Sequence, residues 1–97
     1  NIKIMSERKF LNNKEENKYE LHVGEYFSLA MYKINKEGVV YMTHTETPSE
    51  LKGQGVATEL IEKSLQDIKE QGRKVYPLCP FVIAYIRKNP EWKEIVK

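Results

Sequence analysis

Residues 52–57 read Lys52, Gly53, Gln54, Gly55, Val56 and Ala57: two glycines bracket a polar residue just before a long amphipathic stretch. A helix that begins here presents unpaired backbone N–H groups and the positive end of its dipole. Glycines let the loop bend and let an anion approach the backbone with no Cβ in the way. Together these features make a phosphate-binding junction. A glycine loop that merely starts a helix is the other reading, and spacing alone leaves both open. Neither common nucleotide fingerprint is present: there is no Gly-Lys-Ser/Thr, and no glycine three residues after Gly55.

Four other side chains are of types that move protons or acyl groups. Cys79 directly precedes Pro80. A thiol at a helix start is biased towards thiolate, so Cys79 suits a covalent nucleophile, a proton donor to a leaving group, or a wall of a thioester pocket. The plain alternative is an inert buried thiol. His44 and Glu46 are two residues apart, hence on one face of a strand, and suit a base and its partner. They equally suit a structural pair at the strand end. Tyr85 follows Phe81 by four residues, so the two share a helix face. Tyr85 can donate a proton, whereas Phe81 also fits a core. His22 and Trp92 read as structural, and no metal is expected.

These groups need elements to hold them. Residues 8–12 form a candidate strand and 12–18 a polar turn. Tyr19, Leu21 and Val23 alternate with Glu20 and His22, which is strand spacing. Residues 26–34 and 39–46 are aromatic and β-branched, with a hairpin turn at 35–38. Links this short make the four strands antiparallel. From Gly55 to Gln71 the apolar positions Val56, Ala57, Leu60, Ile61, Leu65 and Ile68 share one helical face, and Gly72 is placed to stop the helix. Residues 74–79 read as a strand, with 74–78 parallel to 39–46 across the helical crossover. Pro80 opens a second helix over 81–89 that Pro90 ends. The expected fold class is α+β, with helices packed on a mixed, mostly antiparallel sheet.

The chain has 97 residues, enough for one domain over 1–97. No apolar run approaches the roughly 20 residues of a membrane span, and residues 1–10 lack the apolar core of a secretory leader. The net charge of +2 argues for neither nucleic acid nor an anionic surface. The single cysteine forbids an internal disulfide and is compatible with a cytoplasmic setting. A monomer is expected, with an exposed sheet edge as the route to a dimer.

The stretch HTETPSELKGQGVATELIEKSLQDIKEQGRKVYPLCPFVIAYIRKNPEW, residues 44–92, resembles the GNAT acyltransferase superfamily, and its small single-domain members in particular. Lys52-x-x-Gly55-x-Ala57 is similar to that superfamily's Arg/Gln-x-x-Gly-x-Gly/Ala loop, with Lys in the first position. Members use acetyl-CoA and acylate amines. The resemblance implies a V-shaped splay between strands 39–46 and 74–78 with acetyl-CoA in it. Its pantetheine arm would pair with backbone groups near Thr45 and Thr47. Gly53, Gln54, Gly55, Val56, Ala57 and Thr58 would cradle the pyrophosphate, Lys52 would add charge, and Phe81 would flank the sulfur. The catalytic candidates are then Cys79, His44, Glu46 and Tyr85. Larger members carry two helices between their first two strands, and 12–18 has no room for them, so the acceptor side is reduced. An N-acetyltransferase acting by direct attack or through Cys79 is the leading expectation. A CoA-binding module with little turnover, and an interaction domain with an empty loop, stand beside it.

Overall fold

A computed structural model describes residues 7–97; the reading of the first residues as lacking a leader core lies largely outside the described residues. Strands β1 (Arg8–Asn13), β2 (Lys18–Val23), β3 (Tyr26–Ile34) and β4 (Val40–Glu46) run in antiparallel order. A short 3-10 helix follows at Ser49–Leu51, then α1 (Val56–Glu70), β5 (Val75–Pro77), α2 (Pro80–Lys88) and a 3-10 segment at Pro90–Ile95. The sheet order is β1-β2-β3-β4-β5, and β5 pairs parallel to β4. The fold is therefore α+β with a mixed, mostly antiparallel sheet, as the element pattern predicts. The two 3-10 segments were not anticipated.

Burial explains the layering. Val56, Leu60, Ile61, Leu65 and Ile68 of α1 are buried against Tyr19, Leu21, Ala30, Tyr32, Val40 and Met42 on one sheet face. Each such aliphatic side chain contributes roughly 1.5–3 kcal/mol when fully removed from water. The 35–38 turn is held by Asn35, whose Oδ1 accepts from Glu37 N–H (3.0 Å) and Val39 N–H (2.9 Å). Proline at the first position of α2 sits where its missing N–H costs nothing. On the opposite sheet face Leu11, Met31 and Tyr76 are exposed.

One irregularity redirects the site. Met31 pairs with His44 but Tyr32 pairs with Met42, so Thr43 is an extra residue in β4. Such a bulge shifts the side-chain phase of everything after it. Strict alternation from Met42 would send His44 and Glu46 into the core. Instead Thr45, opposite buried Ala30, faces the helices, and His44 and Glu46 point to the open face.

Candidate functional site

The parallel pairing of β4 with β5 covers three residue pairs and ends at Met42 and Pro77. The Met42 carbonyl accepts from both Leu78 N–H (2.9 Å) and Cys79 N–H (3.1 Å), and the chain then turns into α2. Thr43–Glu46 continue without β5, so the sheet splays open there. Cys79 is the N-cap residue of α2 and is buried, with its Sγ 3.2 Å from Thr45 Oγ1 across the splay. Buried Ser28 fixes the far end of β4: its hydroxyl donates to the Glu46 carbonyl (2.9 Å) and lies 2.7 Å from Thr47 Oγ1.

Beside the splay lies a hollow of about 340 Å³ lined by Thr45, Thr47, Leu51, Lys52, Gly53, Gly55, Val56, Ala57, Thr58 and Phe81. Gly53 and Gly55 have φ of 78° and 75°, a conformation that glycine adopts at little cost. A Cβ added at either would meet nothing within 4 Å, so the glycines serve backbone geometry, and open space surrounds them. Gly55 is the N-cap of α1 and no side chain caps it. No loop or cap hydrogen bond among the described residues engages the N–H groups of Gly53–Thr58. The first turn of α1 thus offers free donors and a positive dipole end to the hollow.

Every residue of the expected cofactor set lines this hollow except Gln54. Its side-chain amide folds back to donate to the Glu50 carbonyl (2.9 Å). Leu51 was not singled out in the sequence; an isolated leucine in a polar stretch gives no signal. Arg8 was also missed. It donates to Glu59 (2.6 Å) in the first turn of α1 and to the Gln54 carbonyl (2.8 Å), from a position far away in sequence.

His44 Nε2 and Glu46 Oε2 are 2.8 Å apart, both exposed, on the sheet face opposite the hollow. His22 pairs likewise with Glu20 (2.7 Å) and stacks on Phe27. Tyr85 lines a second hollow of about 490 Å³ between α1 and α2, with Glu62, Lys88 and Trp92. Thr58 and Phe81 border both hollows, so the two are contiguous. Phe81 is 39% exposed rather than core. Burial, followed by the negative charge of Glu62, raises the Tyr85 phenol above its ordinary value, and it stays protonated at neutral pH. Trp92 is buried in the 3-10 segment after Pro90. No group of three or more His, Cys, Asp or Glu side chains among the described residues is placed to hold a metal ion, and no helix among them is long and apolar enough to cross a membrane.

A mixed, mostly antiparallel sheet beside an uncapped, glycine-led helix N-terminus is compatible with a reduced acetyltransferase fold. The chain belongs to the GCN5-related N-acetyltransferase family, whose model matches residues 18–95. It is similar to the protein NATD1 of Gallus gallus and of Mus musculus, 27% identical over 63 residues in each case, covering 65% of this chain and 57% of each relative. The human NATD1 is also 27% identical over 63 residues, covering 65% of this chain and 56% of the relative. The aligned part thus spans little more than half the length of these relatives.

Proposed function

We propose that the protein binds acetyl-CoA and transfers its acetyl group to an amine. One observation carries this reading: in a chain of this family, the free N–H groups at the start of α1 line a hollow that opens beside the β4–β5 splay. The pyrophosphate takes the N–H groups of Gly53–Thr58, with Lys52 adding positive charge. The pantetheine arm pairs with β4 near Thr45 and Thr47 as an extra strand, where β5 has left β4 unpaired. Phe81 flanks the sulfur end.

The amine nitrogen attacks the thioester carbonyl, forming the C–N bond. The C–S bond then breaks and its electron pair leaves on sulfur. The amine approaches the thioester through the splay from the opposite sheet face, where His44, held by Glu46, accepts the proton it loses. The thiolate takes a proton from the Thr45 hydroxyl, which lines the hollow and is resupplied by the Cys79 thiol 3.2 Å behind it. Direct transfer is favoured over an acyl-Cys79 intermediate because Cys79 is only 6% exposed and its sulfur already faces Thr45. Tyr85 lies in the second hollow, where a neutral phenol can donate to the bound CoA. The same reading treats 1–97 as one domain working as a cytoplasmic monomer, without nucleic acid or membrane as partner. A second reading, CoA binding with little turnover, is favoured by the exposure of His44 and Glu46 to water.

Backbone amide signals followed by NMR during titration with acetyl-CoA test the binding. Large shifts at Gly53–Thr58 and near Cys79 are expected; no shift at millimolar ligand overturns the reading. His44→Ala and Glu46→Gln should then lower kcat about 10²-fold with acetyl-CoA affinity unchanged. Full turnover in both variants would remove the pair from the mechanism.

A further inference from the structure

We propose that Arg8, on the first strand, is a positioning residue for the pyrophosphate loop. The proposal rests on the acetyl-CoA reading above and adds a part of the chain that the loop motif does not contain. Arg8 stands at the start of β1, opposite Val23, on the helix-bearing sheet face. Its guanidinium makes two contacts with the start of α1. Nη1 is 2.6 Å from Glu59 Oε1, and Nη2 donates to the Gln54 carbonyl at 2.8 Å.

Each contact has a consequence for an anion. In a planar trans peptide the carbonyl of one residue and the N–H of the next point in opposite directions. Holding the Gln54 carbonyl on Arg8 therefore turns the Gly55 N–H away from Arg8. Gly55 lines the hollow and is free of steric restraint, with no atom within 4 Å of its Cβ position. Among the described residues the loop is otherwise held by the Gln54 side chain bonded to the Glu50 carbonyl (2.9 Å) and by the Glu59 N–H donated to the Gly55 carbonyl (3.0 Å), neither of which fixes the Gln54 carbonyl itself. The second contact is electrostatic. Glu59 is the one acid in the first turn of α1, where its charge opposes an incoming pyrophosphate. Arg8 pairs with it at short range, and Lys63 meets its other oxygen at 3.5 Å. Arginine suits the task because its rigid fork spans two acceptors at once, which a lysine ammonium does not.

The test compares CoA with S-acetylpantetheine, which carries the thiol arm but no pyrophosphate, by calorimetric titration of the full chain. The Arg8→Gln variant should raise the Kd for CoA about tenfold and leave the Kd for S-acetylpantetheine unchanged. Arg8→Lys should fall between, because it restores charge but not the fork. Glu59→Gln should bind CoA as well as or better than the parent. Equal weakening towards both ligands would make Arg8 a general structural prop and overturn the proposal, as would unchanged CoA affinity in Arg8→Gln. Should Arg8→Gln fail to fold, Arg8→Lys carries the test, and its binding CoA like the parent is the overturning result. If the parent protein itself binds no CoA, the acetyl-CoA reading fails and the role of Arg8 fails with it.

Discussion

At the scale of single residues, the site depends most on backbone conformation. Gly55 holds φ of 75° at the start of α1, and a side chain there meets open space. The cost of Gly55→Ala is therefore torsional, about 1–2 kcal/mol. The strained loop relaxes by rotating the very N–H groups that face the hollow. Gly55→Ala should lower the melting temperature by a few degrees and weaken acetyl-CoA binding more than tenfold. Thermal unfolding and calorimetric titration check the two halves separately. A variant that loses stability but keeps full affinity would show that the Gly55 amide takes no part in binding. The sequence displayed this position because Gly-x-Gly before an amphipathic run is local information. Arg8 is the opposite case: its partners Gln54 and Glu59 come from the other half of the chain, and an arginine in a strand looks like any solvated charge.

At the scale of elements, the helices and strands were legible and the bulge was not. Helix α1 is written in the spacing of Val56, Leu60, Ile61, Leu65 and Ile68, which no other period explains. The alternation of Tyr19, Leu21 and Val23 likewise gives β2. In β4 the residues after Met42 are polar, and no hydrophobic alternation reports that Thr43 is extra. Which face His44 and Glu46 occupy was thus decided by pairing with β3, not by their own pattern. Strand β2 carries a separate device. Glu20 is buried on the open face, and burial alone would raise its carboxyl. Hydrogen bonds from Asn13 (3.0 Å) and His22 (2.7 Å), with the charge of Lys18, outweigh this and hold it below the usual carboxylate range. A depressed folded-state value means that this stability is present above the unfolded-state value. It is lost as pH falls through the folded one. Glu20→Gln should cost about 1–3 kcal/mol at pH 7 and flatten the acid side of the stability curve. Urea unfolding from pH 7 to pH 3 reads this, and parallel curves for variant and parent would contradict it.

At the scale of the whole molecule, the second arm of the splay is held from behind. Strand β5 has only three residues, and a strand that short binds its neighbours weakly. The chain end covers its free edge: Val96 bridges to Val75, and Lys97 N–H donates to the Val75 carbonyl at 2.9 Å. Trp92 and Ile95 anchor that segment in the core cluster, and Lys69 of α1 lies 5.9 Å from the Trp92 ring centre. Trp92 also lines the second hollow, next to Tyr85. Packing at the chain end and the geometry of the site are therefore coupled through α2. Trp92→Ala should cost about 3–5 kcal/mol, a large share of the roughly 5–15 kcal/mol that a domain of this kind possesses. Residues 52–57 do not line the second hollow, and the loop's hydrogen bonds to Arg8 and Glu50 do not involve Trp92. Acetyl-CoA at 100 times its Kd should then restore about 2.7 kcal/mol of the loss. Urea unfolding of Trp92→Ala with and without ligand measures both quantities. A loss below about 1 kcal/mol would mean that β5 and α2 hold the splay without the chain end. A full loss that ligand does not recover would mean that the hollow collapses with the tryptophan, and that the site extends through both hollows to the C-terminal segment.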